Sequence, residues 1–307
     1  MPVNTMNIVM IGKMRSEILR TAKTILEPRG HACTILPFES NAKTAEAVEK
    51  RSPDIVLVGE SGVLPGVNDA VKTIYLSSDF YCPEKRMTAV QSCLIAHEEL
   101  SFEFITHGAR DTSVRVCGIP LNESYRRHLP QSECRRALGL REDRPVFLMI
   151  GETVSVSVLK SAVHAAQTMC PQAQTILLGS SEQRRKNWMG VFADKPNVFI
   201  SDLEMDMPLS LCACDAVFTP AFSAFVCAGS RQEKIVTLLH STVQRARRNA
   251  QFLDAHGAAF RGKTAADSVS YACRLLESDR LRANMAAAQE KTILADAEER
   301  LIHVIET

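Results

Sequence analysis

Val114-Arg115-Val116-Cys117-Gly118-Ile119-Pro120-Leu121 and Pro145-Val146-Phe147-Leu148-Met149-Ile150-Gly151-Glu152 bracket the stretch that decides how this chain folds. A short apolar strand breaks at a glycine and a proline, and a polar, arginine-rich segment follows. A second, fully apolar strand then ends at another glycine. Runs of this kind, too short for helices and rich in β-branched residues, are buried strands of a parallel sheet. The polar segment between them is where one α/β unit hands over to the next.

Outward from this joint the pattern repeats on both sides. Before it, Asn7-Ile8-Val9-Met10-Ile11, His31 to Phe38, Asp54 to Gly59, Lys72 to Ser77, Ser92 to Ala96 and Ser113 to Cys117 read as strands. Helices are expected at Ser16 to Leu26 and Ala42 to Lys50, the first stopped by Pro28-Arg29-Gly30. After it, strands are expected at Val146 to Ile150, Thr175 to Gly179, Val198 to Ile200, Asp215 to Thr219 and Lys234 to Leu238. Helices are expected at Val156 to Met169 and Ser181 to Val191, and through a tail from Ala265 to Glu306 with Asp267, Asp279 and Asp296 as start signals. Strands alternating with helices imply parallel sheets covered on both faces. The domains are expected at 1–121 and 122–307, the first reduced, with the last helix packing on or crossing between them.

Composition bounds the function. With 307 residues, 46% hydrophobic and 23% charged, this is an ordinary globular chain long enough for two cores. Lys+Arg 36 against Asp+Glu 35 supplies no global field for nucleic acid or an anionic membrane, so no nucleic-acid partner is expected. No basic segment and apolar stretch opens the chain, and no apolar run reaches spanning length, which gives a cytoplasmic expectation. The ten cysteines are scattered among apolar neighbours, and Cys212-Ala213-Cys214 lacks the spacing and second ligand pair of a zinc site. Buried reduced thiols and no metal are expected.

Four further runs, in order, carry a resemblance. Tyr75-Leu76-Ser77-Ser78-Asp79-Phe80 ends a strand in an aspartate and an aromatic. Ile95-Ala96-His97-Glu98-Glu99-Leu100 leads through Gly108 into Val116-Cys117-Gly118-Ile119-Pro120. Leu138-Gly139-Leu140-Arg141-Glu142-Asp143-Arg144-Pro145 leads into the second domain, and Asn249-Ala250-Gln251-Phe252-Leu253-Asp254-Ala255-His256-Gly257-Ala258-Ala259 turns a loop into a helix. From about Lys72 to its end the chain resembles the family of monogalactosyldiacylglycerol synthases and processive diacylglycerol glucosyltransferases, relatives of the peptidoglycan N-acetylglucosaminyltransferase. The resemblance implies an α/β protein of two Rossmann-like domains facing across a cleft, the GT-B arrangement. It implies hexosyl transfer from a UDP-sugar, donor on the second domain and acceptor on the first, to a lipid or other hydroxyl. No cofactor or metal is implied, because this scaffold stabilises a leaving diphosphate with helix N-termini and side chains.

The family's substrate loops are rewritten here. Gly12-Lys13-Met14-Arg15-Ser16 replaces a glycine-rich loop bearing a histidine. Gly151-Glu152-Thr153-Val154-Ser155 replaces the glycine-rich loop whose backbone N–H groups approach a diphosphate, and sets a carboxylate there. Thr219-Pro220-Ala221-Phe222-Ser223 stands for K-P-G-G, the family's ribose glutamate falls near Cys227, and Val243 to Arg248 stands for P-G-Q-E.

The candidate catalytic residues are Asp79, His97 and Glu152. Asp79, past a strand end, could serve as base or as a turn cap. His97 could shuttle protons, or open a helix whose Glu98 and Glu99 suit the dipole. Glu152 could act in a rebuilt site or be a surface acid. The candidate ligand-binding residues are Gly151, Pro220, Arg245, Arg247, Arg248 and Asn249, the arginines able to clamp a diphosphate bidentately or to form a solvated basic face. Arg184-Arg185-Lys186 is a similar basic cluster with less support from position. Glu60 to Val71 leaves little room for a bilayer-docking helix, so membrane association is expected to be weak or absent. Two functions remain open: a divergent glycosyltransferase, and a catalytically degenerate descendant acting as a binding or partner subunit.

Overall fold

A computed structural model describes residues 5–13, 16–59, 71–84 and 87–307. In chain order the elements are β1 (Asn7–Gly12), α1 (Glu17–Leu26), β2 (Ala32–Pro37), α2 (Asn41–Glu49), β3 (Ile55–Val58), β4 (Lys72–Leu76), β5 (Ser92–Ile95), α3 (Ser101–Thr106) and β6 (Val114–Val116). The joint holds two short helices, α4 (Glu123–Arg126) and α5 (Gln131–Ala137). There follow β7 (Val146–Ile150), α6 (Val156–Met169), β8 (Gln174–Gly179), α7 (Glu182–Val191), β9 (Val198–Asp202), α8 (Leu203–Ala213), β10 (Ala216–Thr219), α9 (Ser223–Arg231) and β11 (Ile235–Leu238). Last come α10 (Gln244–Ala255), β12 (Phe260–Arg261), α11 (Ala265–Leu276), α12 (Asp279–Thr292) and α13 (Ala297–Glu306).

The chain forms two compact units, residues 1–122 with 294–307 and residues 123–293. Each carries a six-stranded parallel sheet. The first has the order β2-β1-β3-β4-β5-β6 and the second β12-β11-β10-β7-β8-β9. Counted within its own unit, the second sheet has the doubly wound order of a dinucleotide-binding fold, and its order reverses between β7 and β10. Both units are Rossmann-like. The strands β3, β5, β7, β10 and β11 are buried at every residue, as strands covered on both faces must be.

Two elements differ from the sequence reading. The two-residue β12 adds a sixth strand to the second sheet, where five were expected. The tail is three helices, one for each of its start signals, and Thr264 and Ser278 cap the first two. Asp267 completes a capping box with Thr264, which satisfies two otherwise unpaired backbone donors. The third of these helices, α13, leaves the 122–307 domain in which the sequence placed it and belongs to the first unit. Its buried Glu298 accepts the Leu121 N–H at 2.6 Å, and Gly118, at φ +80°, lies so close that a Cβ would meet Leu294 and Ala297 at 3.0 Å. The segment 60–70, where a membrane-docking element was considered, lies outside the described residues, as do Met14 and Arg15. Among the described residues no helix is long and apolar enough to cross a membrane.

The end of α13 is held by charge. Glu306 receives Arg29 Nε and Nη2 at 3.0 Å each and lies 3.5 Å from His31 Nε2. The Arg29 hydrogen bond, with smaller help from His31, lowers the Glu306 pKa. A depressed carboxylate pKa stabilises the fold above the unfolded pKa and loses that contribution as the pH falls through the folded one. Glu306→Gln is therefore expected to melt below the parent at pH 7 and to converge with it in the acid range. A gap in melting temperature that persists once glutamates are protonated would overturn this.

Candidate functional site

In a parallel α/β sheet the loops leaving the carboxyl ends of the strands collect on one edge, and ligands sit where the strand order reverses. In the second unit those loops follow β7, β10, β11 and β12. The loop after β7 has been filled by protein. Gly151 has no room for a side chain: a Cβ there would lie 2.2 Å from Cη2 of Trp188, and one on Gly179 would lie 2.8 Å from Cζ3 of the same ring. Trp188, on α7, is 1% exposed. Both glycines admit an indole over the ends of β7 and β8.

The charge introduced at this loop is also answered internally. Glu152 accepts the Ser180 N–H at 2.8 Å and lies 3.8 Å from Arg184 Nη1, which itself donates to the Gly151 carbonyl at 2.8 Å. Its carboxylate thus takes a backbone donor and faces a guanidinium, the contacts an anion would seek. The rest of the basic cluster is structural too. Arg185 donates to the Gly179 carbonyl and pairs with Asp202, and Lys186 pairs with Glu182 one turn away.

The loop after β10 is closed by its own hydrogen bonds. Pro220 is buried, and its carbonyl accepts Thr219 Oγ1 at 2.8 Å and the Phe222 N–H at 2.6 Å. Asn249, fully buried on α10, donates to the Ala221 carbonyl at 3.0 Å and to Ser223 Oγ at 3.1 Å. Its side chain ties α10 to the start of α9 instead of facing solvent. Cys227, where the resemblance placed a ribose-binding glutamate, is fully buried in α9.

Between the loops after β10, β11 and β12 and the first turns of α10 a pocket remains. It is shallow and open to solvent, and its polar lining includes His240, Ser241, Arg247 and Arg261, against Ala221 and Gly262. Among the described residues no carboxylate lines it. Ser241 Oγ accepts the Val243 N–H at 3.2 Å as the chain enters α10, and contacts Thr153 Oγ1 at 3.0 Å, which joins this loop to the one after β7. The structure therefore brings Arg247 into a cationic pocket. Arg245 and Arg248, half-buried on the same helix, are not among its lining residues.

In the first unit, Asp79 and His97 follow the neighbouring strands β4 and β5. Asp79 is buried and receives the Ser78 hydroxyl at 3.2 Å, while its main chain exchanges two hydrogen bonds with the Ser77 hydroxyl. Burial, with the Asp79 carboxylate adding to it, pushes the Tyr75 phenol far up, so Tyr75 stays protonated. His97 sits at a helical N-terminus and its Nδ1 accepts the Glu99 N–H at 3.3 Å. From sequence this run was weighed as a helix opening, with Glu98 and Glu99 suiting the dipole, against a proton shuttle.

Trp188, His240, Ser241 and Arg261 were not singled out from sequence. Only the chain's single tryptophan carried a signal, and nothing in its neighbours points back to Gly151.

The sequence matches no family model and no curated protein. Solved structures do match. A glycosyltransferase from Rickettsia africae aligns over 99% of this chain and 98% of its own, with a TM-score of 0.67 and 11% identity. HepE of Anabaena, in complex with UDP-glucose, aligns over 98% and 99% with a TM-score of 0.62 and 14% identity. A UDP-GlcNAc 2-epimerase from Neisseria meningitidis, bound to UDP-GlcNAc, aligns over 98% and 99% with a TM-score of 0.67 and 11% identity. At such identities the likeness is one of fold: the chain has the two-domain Rossmann-like GT-B fold. The narrower resemblance to the glycolipid-forming branch rests on the sequence runs alone.

Proposed function

We propose that this chain is a UDP-sugar-binding protein on a glycosyltransferase-like scaffold, and that its second unit takes the anionic part of the ligand in the pocket at the head of α10. The observation that carries this reading is the pocket's chemistry. Arg247, Arg261 and His240 line it, with no opposing carboxylate among the described residues, outside the carboxyl ends of β10, β11 and β12. Arginine binds phosphate oxygens in a planar fork, so side chains can supply what a glycine-rich backbone cradle supplies elsewhere. Structural neighbours solved with UDP-glucose and UDP-GlcNAc support the ligand class.

Hexosyl transfer to a lipid or other hydroxyl acceptor is the activity that the resemblance implies. Binding without transfer is the second reading, and a specific observation favours it. Glu152 accepts a backbone N–H and faces Arg184, and His97 Nδ1 accepts another backbone N–H, so two of the three candidate catalytic groups serve the fold. A descendant acting as a binding or partner subunit fits that state.

Thermal-shift and calorimetric titrations with UDP, UDP-glucose, UDP-galactose and UDP-N-acetylglucosamine test the proposal. Saturable stabilisation is expected, and Arg247→Ala should weaken binding by about 10-fold or more, the range of a lost charge-assisted hydrogen bond. No shift at millimolar ligand would overturn it. Release of UDP from a bound UDP-sugar, followed over hours, separates transfer or hydrolysis from binding alone.

A further inference from the structure

Three side chains that line the pocket at the head of α10 serve no contact within the fold. Among the described residues, the guanidinium groups of Arg247 and Arg261 and the imidazole of His240 have no hydrogen bond and no ion pair. Other arginines of this unit are spent on structure: Arg184 and Arg185 are held by carbonyls and carboxylates, and Arg135 by Asp215. The sheet brings the three together. Arg261 ends β12 beside Leu238, the last residue of β11, and His240 follows two residues later. Arg247 lies one turn into α10, its N–H donating to the Val243 carbonyl at 3.2 Å. Asp254, which accepts the Arg261 N–H at 2.9 Å, is not among the lining residues.

The same lining lacks the groups that read a nucleoside. Apart from the His240 imidazole, no aromatic ring among the described residues lines the pocket for a base to stack on. The rings next in sequence to lining residues have partners of their own: Phe260 stacks on Tyr271 at 3.9 Å, and Phe222 packs edge-on to Phe225. Ribose hydroxyls find no carboxylate among the described lining residues. Cys227, where the resemblance set a ribose-binding glutamate, is fully buried.

We propose that this pocket recognises a phosphate monoester, whatever carries it, and prefers a terminal phosphate to the internal diphosphate of a nucleotide sugar. The inference rests on the pocket being the anion site proposed above, and it narrows the ligand that the site selects. A terminal phosphate carries a charge of about −1.5 to −2 at neutral pH and presents three acceptor oxygens. Each phosphorus inside a nucleotide sugar is bridged on two sides and keeps a single charge and two free oxygens. Two forked guanidinium groups and an imidazole N–H suit the first better, because charge-assisted hydrogen bonds strengthen with the charge of the acceptor. All three side chains are exposed, so an incoming anion meets them without displacing protein. With no group to hold base or ribose, the phosphate supplies the affinity and the nucleoside adds little.

Calorimetric titration of the full chain with inorganic phosphate, glucose 1-phosphate, UMP, AMP and UDP-glucose is the test. UMP, AMP and glucose 1-phosphate are expected to bind within about 3-fold of one another, and UMP about 10-fold or more tighter than UDP-glucose, the worth of one charge-assisted hydrogen bond. Inorganic phosphate should displace UMP. Arg261→Gln and His240→Gln should each narrow the ratio of UMP to UDP-glucose affinity, whereas a change that only loosened the fold would weaken both ligands alike. UDP-glucose binding as tightly as UMP, or a larger preference among the three monoesters, would overturn the proposal and leave the UDP-sugar reading standing. Monoesters that bind while UDP-glucose does not would support it and sink that reading. No response to any of the five ligands would end both. The ligand series on the parent protein decides the matter even where a variant fails to fold.

Discussion

Replacement of Gly151 by Ala is expected to destabilise the second unit by about 1–3 kcal/mol, the usual penalty for forcing a methyl group into a filled core. The opposite change, Trp188→Ala, is expected to cost about 3–5 kcal/mol through the cavity left by a fully buried indole. These are two sides of one contact, for the Cβ added at Gly151 would sit 2.2 Å from the ring. The rigid partner is the indole, whose far edge lies over Gly151 and Gly179 and which packs with Phe147, Met149 and Leu159. Neither strand end can retreat, because Gly151 N–H donates to the Leu178 carbonyl at 3.0 Å within the sheet.

The pair predicts its own control. In a Trp188→Ala background the Gly151→Ala change meets open space, so the two losses should fall short of their sum by 1 kcal/mol or about that, the coupling expected of residues in contact. Trp188 is the only tryptophan, so its emission reports the site directly in Gly151→Ala. A red shift and an earlier denaturation midpoint are expected. Unchanged emission with parental stability would mean that the indole does not close the loop after β7, and the argument that this loop has lost its diphosphate cradle would fail with it.

This contact also shows where the sequence stopped being informative. The strands were legible because β3, β7 and β10 are buried on both faces and must read as unbroken apolar runs. The joint was legible for a related reason. Gly118 needs a left-handed backbone beside Leu294 and Ala297, and Arg141 N–H and carbonyl are both held by the Gln174 amide, so these positions are fixed by local geometry. Even the run from Asn249 to Ala259 that carried the resemblance is explained by packing: Asn249 ties two helices, and Ala250, Leu253, Ala258 and Ala259 are buried. The resemblance was therefore a reading of scaffold residues, which is why it found the fold.

The site was less legible because its contacts are not periodic. Glu152 read as a carboxylate in place of a phosphate cradle, but its answer, Ser180 and Arg184, arrives from the end of the next strand. Arg247 was separable from Arg245 and Arg248 only once helix α10 showed which of them faces the loops after β11 and β12. The two-residue β12 and the return of α13 to the first unit left no pattern in local hydropathy, since both are set by tertiary packing.

The second large effect is expected where the joint meets the second sheet. Arg135, 7% exposed on α5, places Nη2 2.7 Å from Asp215 Oδ2, Nε 3.0 Å from the Ala213 carbonyl and Nη1 2.7 Å from the Glu142 carbonyl. Asp215 also accepts the Val146 N–H at 2.7 Å and Gln131 Nε2 at 3.1 Å. One carboxylate thus holds α5, the first residue of β7 and the entry to β10 together. Asp215→Ala would leave a nearly buried guanidinium without its counter-charge and a strand N–H without its acceptor. A loss of about 2–4 kcal/mol is expected, the lower part of the range for breaking a buried pair because Asp215 keeps some contact with water. Arg135→Ala should cost a similar amount, and the double variant less than the sum, since each change removes the reason for the other's charge. Asp215→Asn retains an acceptor and should fall between parent and alanine. Trp188 emission during denaturant unfolding follows this unit, and additive losses, or losses within about 0.5 kcal/mol of zero as at ordinary surface sites, would show that the network does not anchor the joint.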